Sequence, residues 1–458
     1  MSQKSLEDLL QAIGSPVKLL RESQTGPYIY PVVPPEFSNW RDEQRAWRET
    51  CILFNQSYHM TDMYMEGPDA LKVLTMLGIN SFKDFGPNKA KQFVPCNYDG
   101  HVIGDVVLFH LEQNRFSLVG RPSVHNWVQY HCETGKYDVK IERDERTVAR
   151  PGPIVRKAYR FQVQGPNALK LMEKVTGAPV PNVKFFHMAE FRIAGRHVRA
   201  LRHGMVGQPG FELFGPWDDG EAVKAAIIEA GQEFGLKQSG ARTYSSNTLE
   251  SGWIPSPMPA IYSGEQTKPY RQWLPANSYE AIASLGGSFY SNDIRDYYLT
   301  PYDLGYGSIV KFDHDFIGRE ALEKIAPKPR RRKVTLVLNG DDVTRGVATM
   351  FQQGKRTKYF DFPSAVYATL PYDKVVKDGK VIGVSTWCGY SANEGAMLTL
   401  AIVDVEHSEP GTPVTFVWGE EGGGSSKPTV ERHQQLEIRA TVAPVPYADA
   451  ARTAYRVG

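Results

Sequence analysis

A twelve-residue stretch of this sequence occurs twice, and the repetition limits the possible folds more than any other feature. Met63-Tyr64-Met65-Glu66-Gly67-Pro68-Asp69-Ala70-Leu71-Lys72-Val73-Leu74 resembles Phe161-Gln162-Val163-Gln164-Gly165-Pro166-Asn167-Ala168-Leu169-Lys170-Leu171-Met172, 98 residues further on. Each copy reads as a strand that runs into Gly-Pro and then a helix. Proline sits near the helix N-terminus, where its missing N–H leaves no hydrogen bond unmade. Two such units point to two related βα subdomains around a shared cleft rather than to a solenoid. Directly ahead of the first copy lies Gln56-Ser57-Tyr58-His59-Met60, a polar loop tip whose histidine has no evident structural task.

The chain has 458 residues, more than one ordinary core needs, so two or three domains are expected. Its formal net charge is only +2, from 53 basic against 51 acidic side chains, which offers no field for nucleic acid or a membrane surface. The four cysteines (Cys51, Cys96, Cys132, Cys388) are far apart and form no CxxC pair. That argues against structural disulfides or a zinc cage and fits a reducing cytoplasm. With no HExxH motif, no metal is expected. The first residues lack the apolar core of a secretory signal, and no apolar run reaches the length of a membrane span.

Along the chain, Gly26-Pro27-Tyr28-Ile29-Tyr30-Pro31 is held extended by its prolines, which puts Tyr28 and Tyr30 on one side. Residues 40–54 read as an amphipathic helix and 88–92 as a polar segment. Asn97-Tyr98-Asp99-Gly100 is a hairpin turn signal leading into a strand over 101–110. A helix is expected over 219–234. Residues 253–302 are rich in Pro, Tyr and Trp without periodicity, which suggests a functional loop or an oligomer contact. Pro327-Lys328-Pro329-Arg330-Arg331-Arg332-Lys333 reads as a solvated basic linker, dividing the chain into 1–330 and 331–458. Beyond it, alternating strands and turns predict a β-barrel or sandwich. The fold class is therefore α+β, with two related α/β subdomains and a C-terminal β-domain.

Several motifs, taken together and in order, resemble the glycine-cleavage T-protein (aminomethyltransferase) superfamily over nearly the whole chain. They are Met65 to Leu71, Asp99-Gly100-His101-Val102-Ile103-Gly104-Asp105, Val163 to Pro166, Gly204 to Glu212, Gly240-Ala241-Arg242 with Leu249-Glu250-Ser251-Gly252, and Phe316 to Leu322. The resemblance implies a three-domain cloverleaf around a channel that binds tetrahydrofolate. Within that superfamily, Gly26 to Pro31, Tyr58-His59-Met60, Gly120-Arg121 and Ser245 to Trp253 look most like the tetrahydrofolate-dependent O-demethylases of syringate and vanillate, with syringate weighted above vanillate. Aminomethyltransferases typically carry two adjacent aspartates where this chain has Gly104-Asp105. The alternatives are aminomethyl transfer in glycine cleavage and a folate-binding accessory role without turnover.

Methyl transfer from an aryl methyl ether requires three things of the protein: alignment of acceptor and methyl group, a grip on the benzoate carboxylate, and a donor for the leaving oxygen. Arg121 is the candidate clamp, because guanidinium binds carboxylate bidentately. Tyr28 and Ser57 join it on the substrate side. His59, Tyr30 and Tyr244 are the candidate donors. On the cofactor side stand Glu212, whose carboxylate can accept two N–H bonds from a pterin edge, and Asp105, Arg242 and Trp253. The expected partners are a small aromatic acid and tetrahydrofolate, with neither nucleic acid nor membrane; a homo-oligomer stays open.

Overall fold

Residues 4–149, 153–255, 257–424 and 426–453 are described by the computed structural model. The two copies of the repeat lie in two different sheets. In the first, the strand Thr61–Glu66 belongs to a five-stranded antiparallel sheet ordered Lys89–Phe93, Val106–Glu112, Arg115–Gly120, Thr61–Glu66, Lys140–Asp144. In the second, Ala158–Gln164 is a central strand of a six-stranded sheet ordered Leu236–Gln238, Cys51–Asn55, Ala158–Gln164, Gly210–Pro216, Arg196–Leu201, Met188–Ile193. Helices Ala70–Leu77 and Ala168–Thr176 follow the two repeat strands. The Gly-Pro glycines adopt φ of +150° at Gly67 and +132° at Gly165. A Cβ at Gly165 would lie 2.5 Å from the Thr50 carbonyl oxygen, and one at Gly67 would collide with the carbonyl of Asp138. Gly165→Ala is therefore expected to lower unfolding free energy by at least about 1–3 kcal/mol from backbone strain alone; a denaturant midpoint equal to wild type would refute this packing.

Every residue of Ala158–Gln164 is buried. Tyr159, Phe161 and Val163 pack on one face against Leu171, Val223 and Ile227. Alternation sends Arg160, Gln162 and Gln164 to the other face, so a polar stripe lies inside the protein. The two sheets meet edge to edge at a Lys89–His187 bridge, and Ala90, Phe109, Met188, Leu201 and Phe214 pack together where they meet.

Two local expectations are revised. The helix over 40–54 stops at Glu49, because the four consecutive buried residues Cys51 to Phe54 form a strand paired on both sides. Pairing on both flanks with burial on both faces outweighs the helical pattern. The strand over 101–110 begins only at Val106, after a break at Gly104, where φ is +157°. The polar segment 88–92 contributes an edge strand, Lys89–Phe93.

The aperiodic 253–302 stretch is a core filler. Ile254, Met258, Ile261, Tyr262, Tyr270, Tyr297, Tyr298 and Leu299 all enter the largest core cluster. Arg271 satisfies carbonyls of that stretch at Ile261 and Gly264. Arg331–Leu338, Asp373–Lys377, Lys380–Ser391, Ala396–Asp404, Pro413–Trp418 and Leu436–Ala443 close into a six-stranded barrel. Arg331, Arg332 and Lys333, expected as linker, are the first residues of its first strand, and Arg331 Nη2 lies 2.8 Å from Asp303 Oδ2. No helix among the described residues is long and apolar enough to cross a membrane.

Candidate active site

The loop tip ahead of the first repeat is held from behind by one buried guanidinium. Arg156 donates to the carbonyls of Ser57 (2.6 Å) and Met60 (3.0 Å), and pairs with Asp144 (2.9 Å) and Asp62 (3.2 Å). Asp62 is shared with Arg160, whose Nε lies 3.0 Å from Asp62 Oδ1 and whose Nη1 lies 2.8 Å from Glu212 Oε1. Asp62 and Arg160 each stand five residues before the glycine of their Gly-Pro, so the two copies of the repeat join through equivalent positions. The alternating network Asp144, Arg156, Asp62, Arg160, Glu212 is buried throughout. Such charges are retained only when paired and hydrogen-bonded.

In front of this network, four rings converge. His59 lies 4.8 Å from both Tyr30 and Tyr244 between ring centroids, and Tyr30 lies 4.3 Å from Tyr244. Tyr28 is 6.0 Å from Tyr30, and its hydroxyl donates to the His59 carbonyl. Tyr244 belongs to a short helix, Ala241–Tyr244, anchored at its start by Glu43, which accepts from the Gly240 N–H and the Thr243 hydroxyl. Gln56 Nε2 donates to the Tyr244 oxygen at 3.0 Å, while the Tyr244 hydroxyl faces the Met205 sulfur at 3.4 Å. Burial pushes the Tyr30 and Tyr244 phenols well above their ordinary range, so both stay protonated near neutrality.

His59 is neutral for the opposite reason. Burial, reinforced by the positive charges of Arg121, Arg156 and Arg146, lowers its pKa to about 3. A histidine whose folded pKa is depressed contributes stability above its unfolded value of about 6.5, lost as pH falls toward 3. Going from pH 7 to pH 5 is therefore expected to destabilise wild type relative to His59→Gln by up to about 2 kcal/mol, measured by denaturant unfolding. An equal loss in both proteins would mean that His59 is not held neutral.

Arg121 links this ring cluster to a small cleft, a cavity of about 20 Å³, lined by Gly104, Asp105, Tyr279, Glu280 and Leu370 among others. Its guanidinium lies 4.3 Å from the Tyr28 ring centroid, and Nη1 reaches the Tyr279 hydroxyl at 3.4 Å. On the other side of the cleft, three donors converge on Asp105 Oδ2: Trp253 Nε1 (2.9 Å), the Tyr306 hydroxyl (2.6 Å) and Gln92 Nε2. Oδ1 has no hydrogen-bond partner among the described residues. Burial raises the Asp105 pKa despite the three donors. Gly104 explains the missing second carboxylate of this turn. A Cβ there would lie 3.0 Å from Val124 Cγ2 and 3.1 Å from Ser123 Oγ, on the helix Pro122–Gly135.

Glu212 sits at the far end of the charge network. Burial pushes its pKa up, but His203 and Arg160 hold it below the usual range. His203 Nδ1 stands 3.6 Å from Glu212 Oε2, within ion-pair range but too far for a hydrogen bond. Nearby on the polar stripe, Gln162 holds the His203 carbonyl through its amide nitrogen, while its oxygen has no partner among the described residues. The Gln56 oxygen is likewise unpartnered.

Of the ten residues singled out from sequence, Tyr28, Tyr30, His59, Arg121 and Tyr244 come together in one cluster. Asp105 and Trp253 meet each other at the cleft, and Glu212 ends the buried network. Ser57 stands apart from the rings: its hydroxyl accepts from the Arg160 N–H (2.9 Å) and donates to the Arg160 carbonyl (3.2 Å), tying the loop tip to the second sheet. Arg242 faces the barrel, donating to the Phe362 carbonyl with Glu36 and Asp361 close by. Sequence reasoning missed Asp62, Asp144, Arg146, Arg156 and Arg160. Only Arg160, Gln162 and Gln164 carried a signal, as polar residues alternating with apolar ones on a repeat strand.

With this geometry in place, the similarities are informative. Residues 24–256 match the family model of the GCVT N-terminal domain. The chain is 56% identical to syringate O-demethylase of Sphingobium sp. (strain NBRC 103272 / SYK-6), covering 99% of this chain and 98% of that protein. It is 30% identical to sesamin methylene transferase of Sinomonas sp. (strain No.22), over 91% of this chain and 90% of that one. The glycine cleavage system aminomethyltransferase T from Bartonella henselae has the same fold, with a TM-score of 0.59 at 18% identity, covering 93% of this chain and 92% of its own.

Proposed function

The chain belongs to the family defined by the GCVT N-terminal domain, and within it we propose that this protein is a tetrahydrofolate-dependent O-demethylase of aromatic methoxybenzoates, syringate ahead of vanillate. The methyl group leaves the aryl oxygen for N5 of tetrahydrofolate, giving the phenol and 5-methyltetrahydrofolate. The proton displaced from N5 balances the one gained by the phenol oxygen.

One observation carries the reading: an uncharged histidine and two protonated phenols cluster beside Arg121 and Arg146, while Arg156 is neutralised by Asp62 and Asp144. That environment favours an aromatic anion and the negative charge that develops on its ether oxygen. Extensive identity to a protein named syringate O-demethylase supports the same substrate class.

The residues present fit a pterin. The buried, unpartnered oxygens of Gln162 and Gln56 are acceptors in need of N–H donors, which a pterin edge carries, and the carboxylates of Glu212 and Asp105 can accept further ones. When bound, tetrahydrofolate supplies a nucleophilic amine as methyl acceptor. The protein does the rest. Arg121 orients the carboxylate. Asp105 Oδ1 holds the displaced proton, helped by its raised pKa. The Tyr244 hydroxyl, parked on a thioether, gives its proton to the leaving oxygen, and Gln56 fixes its direction. His59 and Tyr30 wall the ring and keep water out.

The test is to incubate pure protein with tetrahydrofolate and either syringate or vanillate and to follow 5-methyltetrahydrofolate and the demethylated phenol together. Product with both, faster with syringate, is expected. No transfer from any methoxybenzoate would overturn the assignment, and a faster rate with vanillate would overturn the order of preference.

A further inference from the structure

Arg146 was not marked by any motif, yet it stands closer to the reacting cluster than several residues that were. Its guanidinium lies 4.5 Å from the centroid of the Tyr28 ring, the same ring that Arg121 approaches at 4.3 Å. It also lies 5.5 Å from the Tyr279 ring, whose hydroxyl Arg121 contacts. The carboxylate next to it in sequence is drawn elsewhere: Glu145 pairs with Arg143 at 2.5 Å and accepts from the Thr61 hydroxyl at 3.0 Å. Among the described residues no carboxylate forms an ion pair with Arg146. Two half-buried guanidinium groups sharing one aromatic ring repel each other, and an anion bridging them relieves that repulsion.

We propose that Arg146 is the second guanidinium of a two-arginine clamp, in which the substrate carboxylate bridges Arg121 and Arg146 beside Tyr28 and Tyr279. Arg146 thereby sets the preference for carboxylated over decarboxylated methoxyarenes. The inference deepens the substrate class proposed above and rests on it. It also gives Tyr28 a defined task, as the ring that both cations approach, itself fixed to the His59 backbone through its hydroxyl.

The test compares equilibrium binding of two ligands by calorimetry on the full-length protein: syringate, and the dimethoxyphenol that lacks its carboxylate. Loss of one charge-assisted hydrogen-bonding partner predicts that Arg146→Gln weakens syringate binding by about tenfold or more. Binding of the dimethoxyphenol should change by less than about twofold, since that ligand has no group for the clamp. Arg146→Lys, which keeps the charge but not the fork, falls between, and it carries the same comparison should the glutamine variant fail to fold. Parallel losses for both ligands would make Arg146 a structural prop for Tyr28, and unchanged binding of syringate would remove it from the site. Either result overturns the clamp. Binding needs no turnover, so a wild-type protein that binds syringate through Arg146 but transfers no methyl group sinks the proposed reaction alone. Turnover with an unchanged ligand ratio in Arg146→Gln sinks the clamp alone.

Discussion

Replacing Tyr244 by phenylalanine is expected to lower kcat by about 10²–10⁴-fold, the range for removal of a general acid, with little change in substrate affinity or folding. The Tyr244 oxygen accepts from Gln56 at 3.0 Å, so its own O–H points away from that bond, toward Met205 sulfur. A thioether is a weak acceptor, and a developing phenolate competes for that proton easily. Burial raises the phenol's pKa, which keeps the donor loaded until charge appears. Phenylalanine preserves the ring contacts with Phe54, Tyr30 and His59. His59→Gln is the informative partner. A neutral imidazole without a hydrogen-bonded relay among the described residues should matter mainly for packing, predicting a loss of no more than about tenfold. Equal losses in single-turnover rates for the two variants would transfer the donor role to His59. An unaffected Tyr244→Phe would remove the phenol from the chemistry.

Arg156→Met should produce the largest change in stability, about 3–5 kcal/mol, the penalty for breaking a buried ion pair from one side. The substitution removes the Arg156 pairing of Asp144 and of Asp62, which keeps Arg160. It also releases the carbonyls of Ser57 and Met60, which fix the backbone on either side of His59. Loss of activity should accompany the loss of stability, and a substrate-saturated rate below wild type should persist at temperatures where the variant is folded. Urea unfolding within about 1 kcal/mol of wild type would mean that the network is not load-sharing and that the loop tip holds itself.

Both effects arise in places that the sequence shows only in part. The ring cluster was legible because its members lie in short, chemically distinctive stretches: prolines hold Tyr28 and Tyr30 on one side, and His59 stands in a polar loop with no structural duty. The buried network was not legible. Asp62, Asp144 and Arg156 carry no such mark, since nothing local distinguishes a paired buried charge from a solvated one. Arg242 lies in a motif that resembles the cofactor side, and the structure shows its guanidinium on the Phe362 carbonyl. The 253–302 stretch, without periodicity, proved to be core because aromatic side chains and hydrogen-bonded loops can fill a core without a regular element.

The sequence by itself determined the duplication, the β character of the C-terminal domain and the residue types gathered in the ring cluster. Local periodicity and turn chemistry are written in neighbouring residues, and Gly67 and Gly165 show their backbone requirement in the Gly-Pro pair itself. Only the tertiary structure decided that the Gln56–Met60 loop is gripped from behind by Arg156, that Asp62 of one copy meets Arg160 of the other, and that Arg146 joins Arg121 beside Tyr28. These are contacts between residues far apart in the chain, or between side chains whose direction depends on how two sheets join. Their energies depend on burial and distance, and neither quantity exists until the chain has folded.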